Sequence, residues 1–235
     1  MNELEGMGIV VTGASGNLGA ATATALLREG ARIALMDRSA EAAVHAMGGA
    51  LSAGNVVLPV DLTDEGATAA AFVAAKEKLG RIDALVCTVG GYVGGSPLSD
   101  TSWETFEKMF AMNVKTAFTA NRAAISAFGE RGGSIVNVAS MAALLGGAGE
   151  SAYAATKAAL LRMVESLAAE TKAKGIRVNA VLPGTIDTPQ NRAWMSESMA
   201  RLAIDPAAIA DVIAFLVSPR ARAVTGSAIR VTGAQ

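Results

Sequence analysis

The sequence predicts a single α/β domain, a doubly wound sandwich whose seven-stranded parallel sheet carries helices on both faces. Three observations lead there. Short β-branched runs alternate with longer alanine-rich segments along the whole chain, the pattern of repeated strand–helix–strand units. The first of these runs leads straight into a glycine-rich turn and then a helical segment. Finally, the 235 residues are 51% hydrophobic and only 17% charged, which suits a sheet buried on both faces and argues against disorder.

Strands are expected at residues 8–12, 32–36, 55–60, 84–88, 134–139, 177–181 and 228–231. Between them the spacing predicts helices at 17–29, 40–47, 65–79, 103–128, 151–174 and 206–217. Asp205 can cap the last helix, and Pro206 suits its first position, where no amide donor is needed. Gly175 stops the helix before it. No repeat, low-complexity tract or linker marks a boundary, so residues 1–235 are read as one domain.

Composition narrows the function. A net charge of −1 without clusters of lysine or arginine gives no footprint for nucleic acid or an anionic membrane, so a small-molecule substrate is expected. No apolar stretch approaches the roughly 20 residues of a membrane-spanning helix. Cys87 is the only cysteine, and the start Met1-Asn2-Glu3-Leu4-Glu5 lacks the basic-then-apolar layout of a secretory signal, so a cytoplasmic location is expected. No metal site is assigned. His45 reads as a lone exposed residue, and Cys87 as a small core residue.

Thr12-Gly13-Ala14-Ser15-Gly16-Asn17-Leu18-Gly19 lies between the first strand and the first helix. In that context glycines let a pyrophosphate approach the backbone, and the helix N-terminus meets its negative charge. Asp37 ends the second strand 18 residues after Gly19, where a carboxylate accepts hydrogen bonds from a ribose and repels a 2′-phosphate. NAD is therefore favoured. NADP stays open, because Arg38 could pair with a 2′-phosphate if Asp37 turned aside.

Tyr153 and Lys157 are four residues apart in a helical segment and so share one face. A phenol shuttles protons near neutral pH only when a cation stabilises its phenolate, and Lys157 can supply that charge. Ser140 follows the fifth strand at the carboxyl end of the sheet, where open α/β folds bind ligands, and its hydroxyl can hold a substrate oxygen.

With these motifs the chain resembles, from end to end, the short-chain dehydrogenase/reductase family, which has a Rossmann-type fold. The matching pieces are Thr12 through Gly19, Asp61-Leu62, Gly90, Asn113, Ser140, Tyr153-Ala-Ala-Thr-Lys157 and Pro183-Gly184-Thr185-Ile186-Asp187-Thr188, in the family's order. The resemblance implies hydride transfer between a nicotinamide cofactor and a carbonyl or secondary alcohol, with Tyr153 as proton donor and acceptor. It implies that Lys157 lowers the pKa of Tyr153 and binds the nicotinamide ribose, that Ser140 orients the substrate oxygen, and that Asn113 positions a relay water. Asp61 and Leu62 would contact the adenine, Gly90 would pass close to a ribose, and Ile186 and Thr188 would hold the carboxamide and a phosphate, on the stretch that Pro183 and Gly184 begin.

Two departures stand out. Asn17 replaces the family's middle glycine, with Gly16 one position earlier, and asparagine's tolerance of left-handed backbone suggests a slightly altered phosphate turn. Cys87-Thr88-Val89-Gly90 replaces Asn-Asn-Ala-Gly, which removes the asparagine contacts that brace the central sheet in relatives. The substrate walls are expected from Tyr92 and Val93, Met141 through Leu145, and a lid over residues 190–204 with Trp194 and Met195, all mostly apolar. Residues 84–95 and 182–192 also resemble quinonoid dihydropteridine reductases, so pterin reduction is the alternative. A reading of another class is dinucleotide binding without turnover, as a sensor or scaffold. The alanine-rich helices at 103–128 and 151–174 predict a homo-oligomer, a dimer or tetramer.

Overall fold

The computed structural model describes residues 3–49, 51 and 54–233; Met1 and Asn2, part of the start examined for a leader pattern, lie outside the described residues. Its strands are β1 (Gly8–Thr12), β2 (Arg32–Asp37), β3 (Val56–Pro59), β4 (Ala84–Cys87), β5 (Gly133–Val138), β6 (Ile176–Pro183) and β7 (Ala228–Val231). They form one parallel sheet in the order β3-β2-β1-β4-β5-β6-β7. The order reverses direction between β1 and β4, and such a reversal opens a crevice at the carboxyl ends of the strands.

The helices are α1 (Asn17–Arg28), α2 (Ala40–Ala46), α3 (Glu65–Leu79), α4 (Trp103–Phe110), α5 (Thr116–Phe128), α6 (Ser151–Thr171), α7 (Pro189–Arg192), α8 (Glu197–Leu202) and α9 (Pro206–Val217). Strand alternation divides the core. Val10, Met36, Leu85 and Ile135 face α3, α5 and α6, whereas Ile9, Val11, Leu35 and Val86 face α1, α2 and α9. Asp205 caps α9 by accepting from the Ala207 amide at 2.8 Å, with Pro206 in the first turn as its lack of an amide donor favours. Among the described residues no helix is long and apolar enough to cross a membrane.

The structure departs from the sequence reading in three places. The helix expected over 103–128 is α4 and α5 joined by a wider π-helical turn at Ala111–Lys115, centred on Asn113. β6 runs two residues further than expected, to Pro183, which a proline can do at a strand's last position. The segment over 190–204 contains α8 and most of α7, two short helices that periodicity cannot register because neither completes two turns.

Arg177 on β6 fastens the far end of this layer. Its guanidinium donates to the carbonyls of Leu216 (2.8 Å), Ser218 (3.2 Å) and Val217 (3.4 Å) at the C-terminus of α9, and to that of Val224 (3.4 Å) in the segment after it. Arg177→Met keeps the stem but removes these donors; the Leu216, Ser218 and Val224 carbonyls keep the Ser134 hydroxyl, the Ala221 amide and Asn179 Nδ2, while that of Val217 loses its side-chain donor, so unfolding free energy should fall by about 1–3 kcal/mol. Urea unfolding checks this; a change within the error of the wild type would show that water replaces the guanidinium.

Candidate active site

β1 ends in a turn at Gly13, whose φ of +70° is a left-handed conformation. A Cβ on Gly19 would sit 2.1 Å from the Gly13 carbonyl oxygen, so α1 can begin this close to the strand only with glycine there. Gly16 precedes α1 in extended conformation and no side chain caps the helix. The amides of Asn17, Leu18 and Gly19 thus keep the positive end of the dipole available to an anion, while the Leu18 side chain is buried in the core. Asn17 itself does not use the left-handed backbone expected of it: no non-glycine residue among those described has positive φ. It is simply the first helical residue, and its Nδ2 reaches across to donate to Gln190 Oε1 at 2.9 Å.

Asp37 closes the rim of this turn. Its Oδ2 accepts from the Ser15 amide (2.9 Å) and the Ser15 hydroxyl (2.7 Å), and its Oδ1 from the Ser39 amide (3.3 Å). Arg38 lies beside Asp61, whose carboxyl is held below its ordinary range first by the Thr63 amide and hydroxyl and then by the charges of Arg38 and Lys115. A cleft of about 410 Å³ runs from Gly13, Ser15 and Gly16 past Asp37 and Leu62 to Gly90. Uncapped helix amides, the carboxylates of Asp37 and Asp61 and the apolar Val60 and Leu62 form a set that fits a dinucleotide.

The second half of the site surrounds Tyr153 on α6. The Ser140 hydroxyl accepts from the Ala142 amide at 3.1 Å and stands with the Tyr153 phenol in the wall of one cleft. One turn along α6, Lys157 is 4% exposed; its Nζ donates to the Val138 carbonyl at 3.1 Å and lies 5.8 Å from the Tyr153 ring centroid. Burial lowers the Lys157 pKa to about 8. Burial also pushes the Tyr153 phenol up; the Ser140 hydrogen bond opposes this, and the Glu150 and Tyr92 charges add to it. The expected lowering of the Tyr153 pKa by Lys157 is not among the causes of its shift. Desolvation acts on both groups at once and disfavours the charged form of each.

Asn113 is fully buried by the π-helical turn. Its Oδ1 accepts from the Gly91 amide (2.9 Å), and its Nδ2 donates to the Gly91 carbonyl (3.0 Å) and the Thr156 hydroxyl (3.2 Å). The side chain is thus spent on bracing the loop after β4, and a relay water would have to be held by the Asn113 backbone. Gly90 sits against this brace: a Cβ there would meet Asn113 Oδ1 at 2.9 Å and Lys157 Nζ at 3.2 Å. Thr88 answers the missing asparagine pair, because its hydroxyl donates to the Thr12 carbonyl at 2.6 Å and ties β4 to β1. Cys87 is buried, its thiol pushed up to about 12, as an inert core residue would be.

A second cleft, of about 530 Å³, lies in front of Ser140 and Tyr153, with Tyr92, Met141, Leu145 and Trp194 among its walls. Met195, expected there, is half-buried outside the lining because α7 ends at Arg192 and turns it away. Pro183, Gly184 and Ile186 also line the cleft. Thr188 caps α7, accepting from the Asn191 amide at 3.2 Å, and does not reach the lining. Ile186 pairs with Ile204, which closes the lid segment at its base. Arg192 is ion-paired with Asp187 and so turned from the reacting position.

Comparison with known proteins places the chain in a family. Residues 13–233 match the family model described as enoyl-(acyl carrier protein) reductase. The chain is 38% identical to 2-(R)-hydroxypropyl-CoM dehydrogenase of Xanthobacter autotrophicus, over 96% of each chain. The chain belongs to the short-chain dehydrogenase/reductase family. It is 32% identical to the 7alpha-hydroxysteroid dehydrogenase of Bacteroides fragilis, covering 99% of this chain and 95% of that one. The crystal structure of 3-ketoacyl-(acyl-carrier-protein) reductase from Brucella melitensis complexed with NADH superposes with a TM-score of 0.90 at 29% identity, over 98% of each chain. This short-chain dehydrogenase/reductase is accordingly a nicotinamide-dependent oxidoreductase of the carbonyl and alcohol class.

Three residues of this dehydrogenase/reductase site escaped the sequence reading. Thr88 is visible only as a departure from a motif, and Gln190 only through a contact 173 residues distant. Glu150 could have been flagged, since it stands three residues before Tyr153 at the start of the same helix.

The Lys157 shift has a consequence for stability. The unfolded chain keeps this lysine protonated up to about pH 10.5, whereas the fold releases the proton near pH 8, so unfolding free energy rises between those values. The penalty of the buried ammonium is full below about pH 8 and gone above 10.5. Relative to a Lys157→Met variant, the wild type should therefore gain up to about 3 kcal/mol across this window. Denaturant unfolding at both pH values measures it; a constant difference would count against the shift.

Proposed function

We propose that the protein is an NAD-preferring ketone reductase and secondary-alcohol dehydrogenase for substrates with an apolar body. The observation that carries this reading is that Ser140 and Tyr153 line the same mostly apolar cleft, with Lys157 buried behind them. In reduction, Tyr153 donates its proton to the carbonyl oxygen as negative charge develops there, while the Ser140 hydroxyl donates to the same oxygen. In oxidation the phenolate takes the alcohol proton. Bound in the first cleft, the nicotinamide cofactor supplies or accepts the hydride. Lys157 offsets phenolate charge and offers donors to the nicotinamide ribose, and Asn113 acts as a positioning residue by holding Gly91 and Thr156.

The NAD preference rests on Asp37. Its oxygens are held by Ser15 and Ser39, which favours a fixed carboxylate over one that swings aside to let Arg38 meet a 2′-phosphate. The steroid substrate named for one relative supports an apolar body. Exposed Trp103 and Phe118, on α4 and α5, support self-association into a dimer or tetramer. A single buried, free cysteine is in keeping with a cytoplasmic location.

The test is oxidation of NADH and of NADPH by the wild type, Tyr153→Phe and Asp37→Ala, with 2-butanone, acetophenone and a quinonoid dihydropterin. Acetophenone should be reduced with NADH at least about tenfold better than with NADPH, a gap that Asp37→Ala narrows. Tyr153→Phe should lose about 100-fold or more of the rate. Turnover of the pterin alone would replace the ketone reading, and cofactor binding with no turnover would favour a sensor.

A further inference from the structure

Glu150 is the one charged side chain among the described residues lining the substrate cleft; it gives and takes no proton in the reaction and does not line the cofactor cleft. It stands at the cap position of the 21-residue helix α6, where the helix dipole favours negative charge, and it caps no amide there. Oε1 accepts a hydrogen bond from the Tyr92 hydroxyl at 3.3 Å, and the Tyr92 ring stands edge-on to Tyr153 with centroids 5.0 Å apart. Oε2 has no donor among the described residues.

This pair is housed by glycine. A Cβ on Gly147 would come within 2.7 Å of the Glu150 carboxylate, and one on Gly94 within 2.3 Å of the Tyr92 hydroxyl. The loops that carry these glycines are joined by the Gly95 amide, which donates to the Gly149 carbonyl at 3.0 Å. Two glycine-rich segments thus leave space for a carboxylate and a phenol in the cleft wall. Among the described residues no cation pairs with this carboxylate: Lys157 lies behind Tyr153 and bonds Val138, and Arg192 is held by Asp187.

We infer that Glu150 sets the charge of the substrate, so that the cleft prefers ketones and alcohols bearing an ammonium group beyond the reacting carbon and turns away those bearing a sulfonate or carboxylate there. This rests on the carbonyl–alcohol reading of the site. A carboxylate about 6 Å from a ligand charge, in surroundings of intermediate dielectric, changes affinity roughly tenfold in either direction. The apolar walls hold the body of such a substrate, and Glu150 selects what it carries.

The experiment compares kcat/KM of wild type and Glu150→Gln for acetophenone and its 4-trimethylammonio and 4-sulfonate derivatives. Glutamine keeps an acceptor for the Tyr92 hydroxyl while removing the charge. Because Glu150 also acts on the Tyr153 phenol, the absolute rates will move; the cation-to-anion ratio within one variant cancels that change, and comparing variants cancels the intrinsic reactivity of each ketone. The ratio should fall by about tenfold or more in Glu150→Gln and stay near the wild-type value in Tyr92→Phe, which retains the charge. An unchanged ratio in Glu150→Gln would overturn the assignment.

Calorimetric binding of phenyltrimethylammonium and benzenesulfonate to the NADH complex separates this inference from the reading beneath it. Preference for the cation, lost in Glu150→Gln, upholds the charge assignment even where no ketone is reduced, an outcome that would sink the carbonyl reading alone. Equal binding of the two ions beside normal acetophenone reduction would sink the charge assignment alone.

Discussion

Between β1 and β4 the sheet changes direction, and the Thr88 hydroxyl, 2.6 Å from the Thr12 carbonyl, is what fastens the strands just beyond their last ladder pair. Both halves of the site hang on this point. On the β1 side the chain must turn through Gly13 and start α1 at once, which presents helix amides to one cleft. On the β4 side Val89, Gly90 and Gly91 must pass close to Asn113 and Lys157, which sets the depth of the boundary between the clefts. Threonine does this with a single hydroxyl because the partner carbonyl is directly opposite. The structure therefore has a brace here without the asparagine pair that the family resemblance leads one to expect.

Desolvation governs the chemistry end. Lys157 is enclosed by α6, β5 and the loop after β4, so its ammonium has the Val138 carbonyl as its protein acceptor and is easily deprotonated. Tyr153 is less deeply placed but rests against Tyr92 on one side and Ser140 on the other. Ser140 favours the phenolate and Glu150 opposes it, so the proton affinity of Tyr153 is a balance between the floor of the cleft and its wall. A residue that chooses substrates by charge is in this way coupled to the group that moves the proton.

The layers, the strand order of a doubly wound sheet and the Ser140, Tyr153 and Lys157 trio were legible in the sequence because each is written locally: alternating strands, a glycine turn between strand and helix, a four-residue helical spacing. Asn113 was legible as a site residue but not in its task, since the π-helical turn that buries it depends on packing between α4 and α6 rather than on composition. Met195 was misplaced for the reason short helices generally defeat periodicity: a four-residue α7 gives no face to count. Asn17 shows the limit of conformational propensity, because the backbone it tolerates was supplied four residues earlier by Gly13.

The contact between Asn17 and Gln190 draws these parts together. A glycine at that helix position would leave the phosphate-binding amides bare, whereas here an amide side chain stands beside them and meets the lid at 2.9 Å. The lid is otherwise anchored at its base by Ile186 and Ile204 and stiffened by the Arg192–Asp187 pair, with Trp194 carried on the stretch between. A lid closed at its base on the stretch that follows β6 and tied at Gln190 to α1 spans both clefts. Its position therefore depends on the phosphate turn at one end and on the substrate wall at the other, so displacement at the turn reaches Trp194 through only a few residues of backbone.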